Sequence, residues 1–127
     1  MKIKVSLKGK TTVFDALCDS GNLLRDPFSN APVILTSHEV LYPILRKETI
    51  AAMLEGCDAV LNEDLRIRLI VQNRHGESHL LCAFYPDSVT IFTEKQKAEK
   101  KCLIAVSPHN STYFAGFAAT APSILIP

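Results

Sequence analysis

The sequence predicts a mostly β fold, a barrel or sandwich with one or two short helices. Short apolar or alternating segments recur along the chain, turn residues separate them, and only one segment has strong helical character. Many short strands at this spacing are typical of all-β barrels and sandwiches. With 127 residues and no visible repeat or linker, we expect residues 1–127 to form a single domain.

The chain opens with a predicted β-hairpin. Lys2–Leu7 alternates polar and apolar residues with the period of a half-buried strand, and Thr11–Leu17 is rich in β-branched residues. Gly9 lies between the two strands and favours a tight turn. A polar loop follows, and Pro32–Thr36 then predicts a short apolar strand.

The middle of the chain predicts a helix and a second hairpin. Lys47–Glu55 has the best helical pattern and Gly56 ends it, while Ser37 is a candidate N-cap for an earlier helical segment. Leu65–Val71 and His79–Tyr85 predict two strands of a hairpin with a polar, glycine-containing tip. The other predicted elements are strands at Ser88–Thr93, Cys102–Val106 and Ser123–Ile126, a charged segment at Glu94–Lys101 and a short helix at Phe114–Ala121.

Composition excludes several classes of protein. The net charge of +1 gives no electrostatic footprint for nucleic acid, so no nucleic-acid partner is expected. The polar N-terminus has no secretory signal, and no apolar stretch reaches the ~20 residues of a membrane span, which predicts a soluble, cytoplasmic chain. The four cysteines are expected to be free, mostly buried thiols. His75 and His79 alone do not complete a metal site, so neither metal nor cofactor is expected.

The tripeptide Asp19-Ser20-Gly21 is the candidate catalytic motif. It follows directly on an apolar strand, where an aspartic protease carries its carboxylate on a tight turn. Gly21 lets the backbone turn closely, the Ser20 hydroxyl can hold the loop by hydrogen bonding, and Asn22 can bond at the loop edge. The tripeptide alone is weak, because it occurs by chance in roughly one chain in twenty of this size.

The surrounding residues carry a resemblance to a known family. The run Val13–Pro27, which contains Asp-Ser-Gly-Asn-x-Leu-x-Asp-Pro, followed by Ala31–Leu35, resembles the sporulation sigma-E-processing peptidase family. Leu80–Val89 and Lys101–Ser107 also look like that family. The resemblance implies a retropepsin-like aspartic protease domain with one catalytic aspartate, Asp19, in each chain and activity as a homodimer.

The resemblance also implies supporting elements. A retropepsin-like enzyme needs a flap that closes over the peptide, and the second hairpin is the candidate, with His75, Gly76 and Glu77 at its tip. The charge of this tip is unusual for a surface that packs on substrate. Ile104 and Ala105 are expected to form the late strand that supports the catalytic loop, with Ala105 standing where such proteases typically carry glycine.

The implied partners are a second copy of the chain and the precursor of a sporulation sigma factor as substrate, with a signalling protein as a possible activator. The family's N-terminal membrane domain is absent from these residues, so membrane attachment is expected only through that missing part.

Two alternatives to the protease hypothesis stay open. The first is a catalytically silent retropepsin-like module that dimerises or binds a peptide. The second is a thiol or metal hydrolase that uses Cys82 or Cys18 with His75 or His79.

Overall fold

The computed structural model describes residues 1–56, 65–74, 76–108 and 114–127. In these residues nine strands form one sheet with a single α-helix, α1 (Lys47–Glu55), and two short 3₁₀ helices at His38–Leu41 and Ser123–Leu125. The strands are β1 (Lys2–Leu7), β2 (Lys10–Cys18), β3 (Val33–Ser37), β4 (Arg66–Arg74), β5 (Glu77–Tyr85), β6 (Ser88–Phe92), β7 (Lys97–Glu99), β8 (Leu103–Ser107) and β9 (Ala119–Ala121). The mostly β fold predicted from the sequence is confirmed.

The N-terminal hairpin forms at the predicted turn. Leu7 pairs with Lys10, which leaves a two-residue loop with Lys8 at φ 50° and Gly9 at φ 80°. Positive φ at both loop residues is the geometry that matches the twist of a two-residue hairpin, and glycine adopts it without steric cost. The hairpin therefore sets the register that turns Ile3 and Val5 into the core.

The sheet order is β4-β5-β8-β3-β9-β2-β1-β6-β7. Near its centre the three-residue strand β9 lies between β2 and β3, parallel to β2 and antiparallel to β3. The register joins Cys18 to Ala121 and Leu35 to Thr120. A segment close to residue 120 thus fills the gap between the strand that precedes Asp19 and the strand that follows its loop.

Side chains are buried on both faces of the β3–β8–β5 part of the sheet. On one face Ile34, Phe84 and Ile104 join the main core with β1, β2 and α1. On the other face Leu35, Leu103 and their neighbours form a second cluster beneath the segment that leads from Asp19 to β3. The continuous burial of β3 and β8 follows from this two-sided packing, as is typical of strands covered on both faces.

The sequence predicted several local structures correctly. The α1 helix has the predicted bounds, and Gly56 ends it with its N–H bonded to Ala52 O at 3.1 Å. Ser37 caps a helical segment as expected, although that segment is a 3₁₀ turn, by accepting a hydrogen bond from Glu39 N–H at 3.4 Å.

Two other predictions were wrong, and one strand was not predicted. The helix expected at Phe114–Ala121 is a turn followed by β9, and the strand expected at Ser123–Ile126 is mainly a 3₁₀ helix. The charged segment contains the unpredicted edge strand β7.

The prediction of four free, mostly buried thiols is also wrong. Cys82 is disulfide-bonded. Among the described residues the free cysteines are the exposed Cys18 and the buried Cys102.

Within the described ranges, no helix has both the length and the apolar character needed to cross a membrane.

Candidate active site

Asp19 lies directly after β2, on a loop held by backbone hydrogen bonds. Its N–H donates to Ala121 O of β9 at 2.9 Å, and its carbonyl oxygen accepts from Asn22 N–H at 3.0 Å. Its carboxylate Oδ1 accepts from Gly21 N–H at 2.8 Å. The side chain is half-buried. The carboxylate is therefore oriented by its own loop and still open on one side.

Gly21 leaves room for that carboxylate. A Cβ atom at this position would lie 3.1 Å from Asp19 Oδ1, closer than ordinary van der Waals contact. Glycine thus avoids a tight contact here, and any larger residue would make the Asp19 carboxylate shift by a few tenths of an ångström.

Asn22 joins the loop to the two strands beside it. Asn22 is 7% exposed, and its side-chain amide donates hydrogen bonds to Val33 O at 3.1 Å and to Thr120 O at 3.3 Å. Its Oδ1 accepts from Leu24 N–H at 3.1 Å. One buried amide thus satisfies backbone groups of β3, β9 and its own loop, a larger role than the loop-edge bond expected from the sequence.

Ser20 differs from its neighbours in the motif. It is exposed, and within the described part of the chain its hydroxyl forms no hydrogen bond. The hydrogen bond by which the Ser20 hydroxyl was expected to hold the loop is therefore not seen among the described residues of a single chain.

An open cleft of about 680 Å³ contains the Asp19 carboxylate. The same cleft borders the hairpin expected to be the flap, through three residues of β4, Val71, Gln72 and Asn73. Its other lining residues are Leu17, Gly21, Asn22, Leu23, Leu24, Leu35, Phe114, Ala115 and Thr120. The structure thus brings Asp19 and strand β4 of the predicted flap hairpin to one cleft.

The predicted flap tip lies farther from the cleft. Gly76 has φ 78° and is exposed, and neither Gly76 nor Glu77 is among the cleft residues. His75 lies outside the described residues. The part of the hairpin that meets the cleft is therefore the strand β4, before the tip.

Ile104 and Ala105 are fully buried in β8, and Ala105 belongs to the cluster against which Leu24, in the segment after Asp19, packs. β3 and β9 separate β8 from β2, and the Ala105 carbonyl accepts a hydrogen bond from Thr36 Oγ1 of β3 at 3.2 Å. The strand that hydrogen-bonds to Asp19 is β9, through Ala121. The sequence did not predict β9, because Ala-Thr-Ala carries no apolar strand signal. The supporting role of Ile104 and Ala105 stays a prediction.

Asp26, which the sequence placed only in the polar loop after β2, is a buried carboxylate close to the Asp19 loop. It is 2% exposed. It accepts hydrogen bonds from the Tyr85 hydroxyl, from Ser29 Oγ at 2.8 Å and from Phe28 N–H at 3.1 Å. Arg68 Nε lies 3.8 Å from its Oδ2. Asp-Pro in the Asp-Ser-Gly-Asn-x-Leu-x-Asp-Pro pattern was the available signal.

This environment stabilises the ionised form of Asp26. Burial alone raises the pKa of a carboxyl group, but here the hydrogen bonds from Tyr85, Phe28 and Ser29, together with the Arg68 charge, outweigh it and lower the pKa to about 2. Burial and the hydrogen bond to Asp26 raise the pKa of Tyr85. The pair is therefore a carboxylate with a neutral phenol donor.

The cysteines limit the thiol-hydrolase alternative. Cys82 is disulfide-bonded and has no thiolate to offer. Burial raises the pKa of Cys102 to about 12, so its thiol stays protonated at neutral pH. Of the described cysteines, Cys18 alone is both free and exposed.

Comparison with known proteins gives a consistent family assignment. The peptidase family described as "Sporulation factor SpoIIGA" matches residues 1–117. The chain is 30% identical to the sporulation sigma-E factor-processing peptidase of Bacillus subtilis (strain 168), over 84% of this chain and 38% of that protein. It therefore spans well under half the length of this relative. No solved structure matches it. The match over nearly all of its length shows that the chain belongs to the sporulation factor SpoIIGA peptidase family.

Proposed function

We propose that residues 1–127 form a single aspartic endopeptidase domain in which Asp19 supplies one of two catalytic carboxylates. The observation that carries this proposal is the position of Asp19: on a loop after β2 that backbone hydrogen bonds hold, in a cleft that strand β4 of the second hairpin also borders. The peptidase family assignment supports proteolysis as the reaction.

The second carboxylate comes from a second copy of the chain. The sequence contains one Asp-Ser-Gly and no Asp-Thr-Gly. A twofold axis beside the loop would place Asp19 next to its symmetry mate and complete the retropepsin-like site. The exposed Ser20 hydroxyl, unpaired within the described part of one chain, is then available at this contact.

Two adjacent carboxylates make a general acid and a general base from identical residues. Like charges a few ångströms apart cannot both ionise cheaply, so the pair shares one proton. The ionised member takes a proton from water, and that water attacks the scissile carbonyl, while the protonated member polarises the carbonyl oxygen. The roles belong to the pair rather than to either copy.

The proposed substrate is a sporulation sigma factor precursor, which agrees with the name of the Bacillus subtilis relative. We place the reaction in the cytoplasm, with membrane attachment through a further N-terminal domain and activation by a signalling protein. These partners follow from the family resemblance.

The decisive experiment is cleavage of a pro-sigma factor co-expressed with the native chain, Asp19→Asn or Asp15→Asn. Asp15 is the matched control, since it lies on β2, the strand that precedes Asp19, and is exposed. Among the described residues its side chain makes a 3.9 Å surface ion pair with Lys2. We expect native and Asp15→Asn chains to cleave, and a loss of at least about a hundredfold in Asp19→Asn.

Mixing tests the dimer. If each active site needs two chains, adding excess folded Asp19→Asn chain to native chain should inhibit cleavage, because mixed dimers carry a single aspartate. Cleavage that is retained in Asp19→Asn would refute Asp19 as the catalytic residue. Absence of cleavage by the folded native dimer would favour a silent binding module.

A further inference from the structure

The distal half of the β4–β5 hairpin has no other strand beside it in the described structure. β4 and β5 pair with each other from Arg66↔Tyr85 to Arg74↔Glu77, whereas β5 pairs with β8 only at Ala83 and Phe84. Beyond that point Leu69, Val71 and Leu80 are exposed. Closer to the base, Ile70, Leu81 and the disulfide-bonded Cys82 are buried. The contacts that position the hairpin are therefore concentrated in its base half, and the outer residues 71–80 are held less firmly.

The base of the hairpin is fixed to the segment that follows Asp19. Tyr85, the last residue of β5, donates its hydroxyl hydrogen to Asp26 Oδ2, and Arg68 of β4 lies 3.8 Å from the same oxygen. The Ser29 hydroxyl also donates to this oxygen, and the Ser29 and Tyr85 oxygens are 2.5 Å apart because both converge on it. Both strands of the hairpin thus meet one buried carboxylate.

Asp26 is itself held rigidly. Its N–H donates to Ala31 O at 2.9 Å and its carbonyl accepts from Asn30 N–H at 2.9 Å. A bridge between Arg25 and Pro32 closes the same loop. A contact to a loop closed at both ends constrains the hairpin more than a contact to a mobile side chain would.

We propose that the Tyr85–Asp26 contact is a positioning device that holds the β4–β5 hairpin over the cleft, so that peptide affinity depends on it. The inference rests on the proposed protease function and adds two residues outside the cleft to it. Asp19 is held by separate bonds to Ala121 and Gly21 that do not involve Tyr85. The device therefore acts on substrate binding and leaves the catalytic carboxylate in place.

Hydrogen exchange tests the anchor without requiring activity. In Tyr85→Phe, which removes only the hydroxyl, amides of residues 69–74 and 76–82 should exchange roughly fivefold faster, while those of β1 and β2 keep their native rates. The matched control is Tyr42→Phe, which removes a half-exposed hydroxyl 3.4 Å from His38 and should change neither region. Unchanged or uniformly faster exchange in Tyr85→Phe would overturn the proposal.

Kinetics test the consequence for the site. Tyr85→Phe should raise KM about fivefold while kcat stays within about twofold of native. A fall in kcat at constant KM would overturn the proposal, since it would place the effect on Asp19. If Tyr85→Phe fails to fold, Arg68→Gln can replace it, because it weakens the same anchor from β4. It should raise KM by a smaller factor, again with kcat nearly unchanged. Inactivity of the native chain would contradict the protease function, while hydrogen exchange would still decide the anchor.

Discussion

Replacing Asn22 by alanine should strongly destabilise the fold, although the change removes only one small side chain. The substitution deletes the two donated bonds to Val33 O and Thr120 O and leaves Leu24 N–H without its acceptor. At about 1 kcal/mol net for each of three hydrogen bonds, the free energy of unfolding should fall by about 3 kcal/mol. That is a large fraction of the roughly 5–15 kcal/mol available to a domain.

Urea denaturation measures this loss. With an m-value of about 1.5 kcal/mol/M, the midpoint should fall by about 2 M with m unchanged. The control is Asn73→Ala, whose side chain is exposed and accepts one hydrogen bond from Ser78 Oγ at 2.7 Å. It should cost under about 0.5 kcal/mol. A loss below about 1 kcal/mol in Asn22→Ala would show that Asn22 does not join β3 and β9 to the catalytic loop in the way described.

Two further predictions concern Asp26 and Gly21. Because the folded-state pKa of Asp26 is about 2 against an ordinary 3.8, its ionisation contributes about 2 kcal/mol of stability above about pH 5, which is lost as the pH falls toward 2. In urea melts the stability gap between native chain and Asp26→Asn should therefore narrow between pH 6 and pH 3, and a constant gap would contradict this assignment. Gly21→Ala should reduce cleavage at least about tenfold, because its Cβ would crowd Asp19 Oδ1 at 3.1 Å, while changing the free energy of unfolding by under about 1 kcal/mol. Native initial rates in that variant would show that the carboxylate tolerates displacement.

Local patterns in the sequence were enough to predict most of the strands. The turn at Lys8-Gly9 and the bounds of α1 depend on neighbouring residues, so propensity and periodicity identified them. β9 could not be found in this way. Ala-Thr-Ala has little strand propensity, and these residues are extended because β2 and β3 offer hydrogen bonds on both sides.

The part of the candidate site that is formed by neighbouring residues could also be predicted from the sequence. Asp19, Gly21 and Asn22 are adjacent in sequence, and the structure brings all three to one loop. The buried state of Asp26 depends on Tyr85, 59 residues away, so a turn was the only local interpretation of Asp-Pro. The supporting role expected of Ile104 and Ala105 follows from the family resemblance and stays a prediction; both residues are buried in β8, which pairs with β3.

The central position of β9 also determines when the site can be assembled. The hydrogen bonds that fix the Asp19 loop reach residues 120 and 121, and the bond from Asn22 to Thr120 spans 98 residues of sequence. Contacts of such long separation close late, after the loop-closure entropy between them has been overcome. During synthesis the first hairpin can form early, whereas the Asp19 loop lacks its bonds to β9 until residue 121 has left the ribosome. A chain that stops short of β9 would contain Asp19-Ser20-Gly21 without the hydrogen bonds to Ala121 and Thr120 that orient its loop, so the cleavage proposed above would require the chain through residue 121.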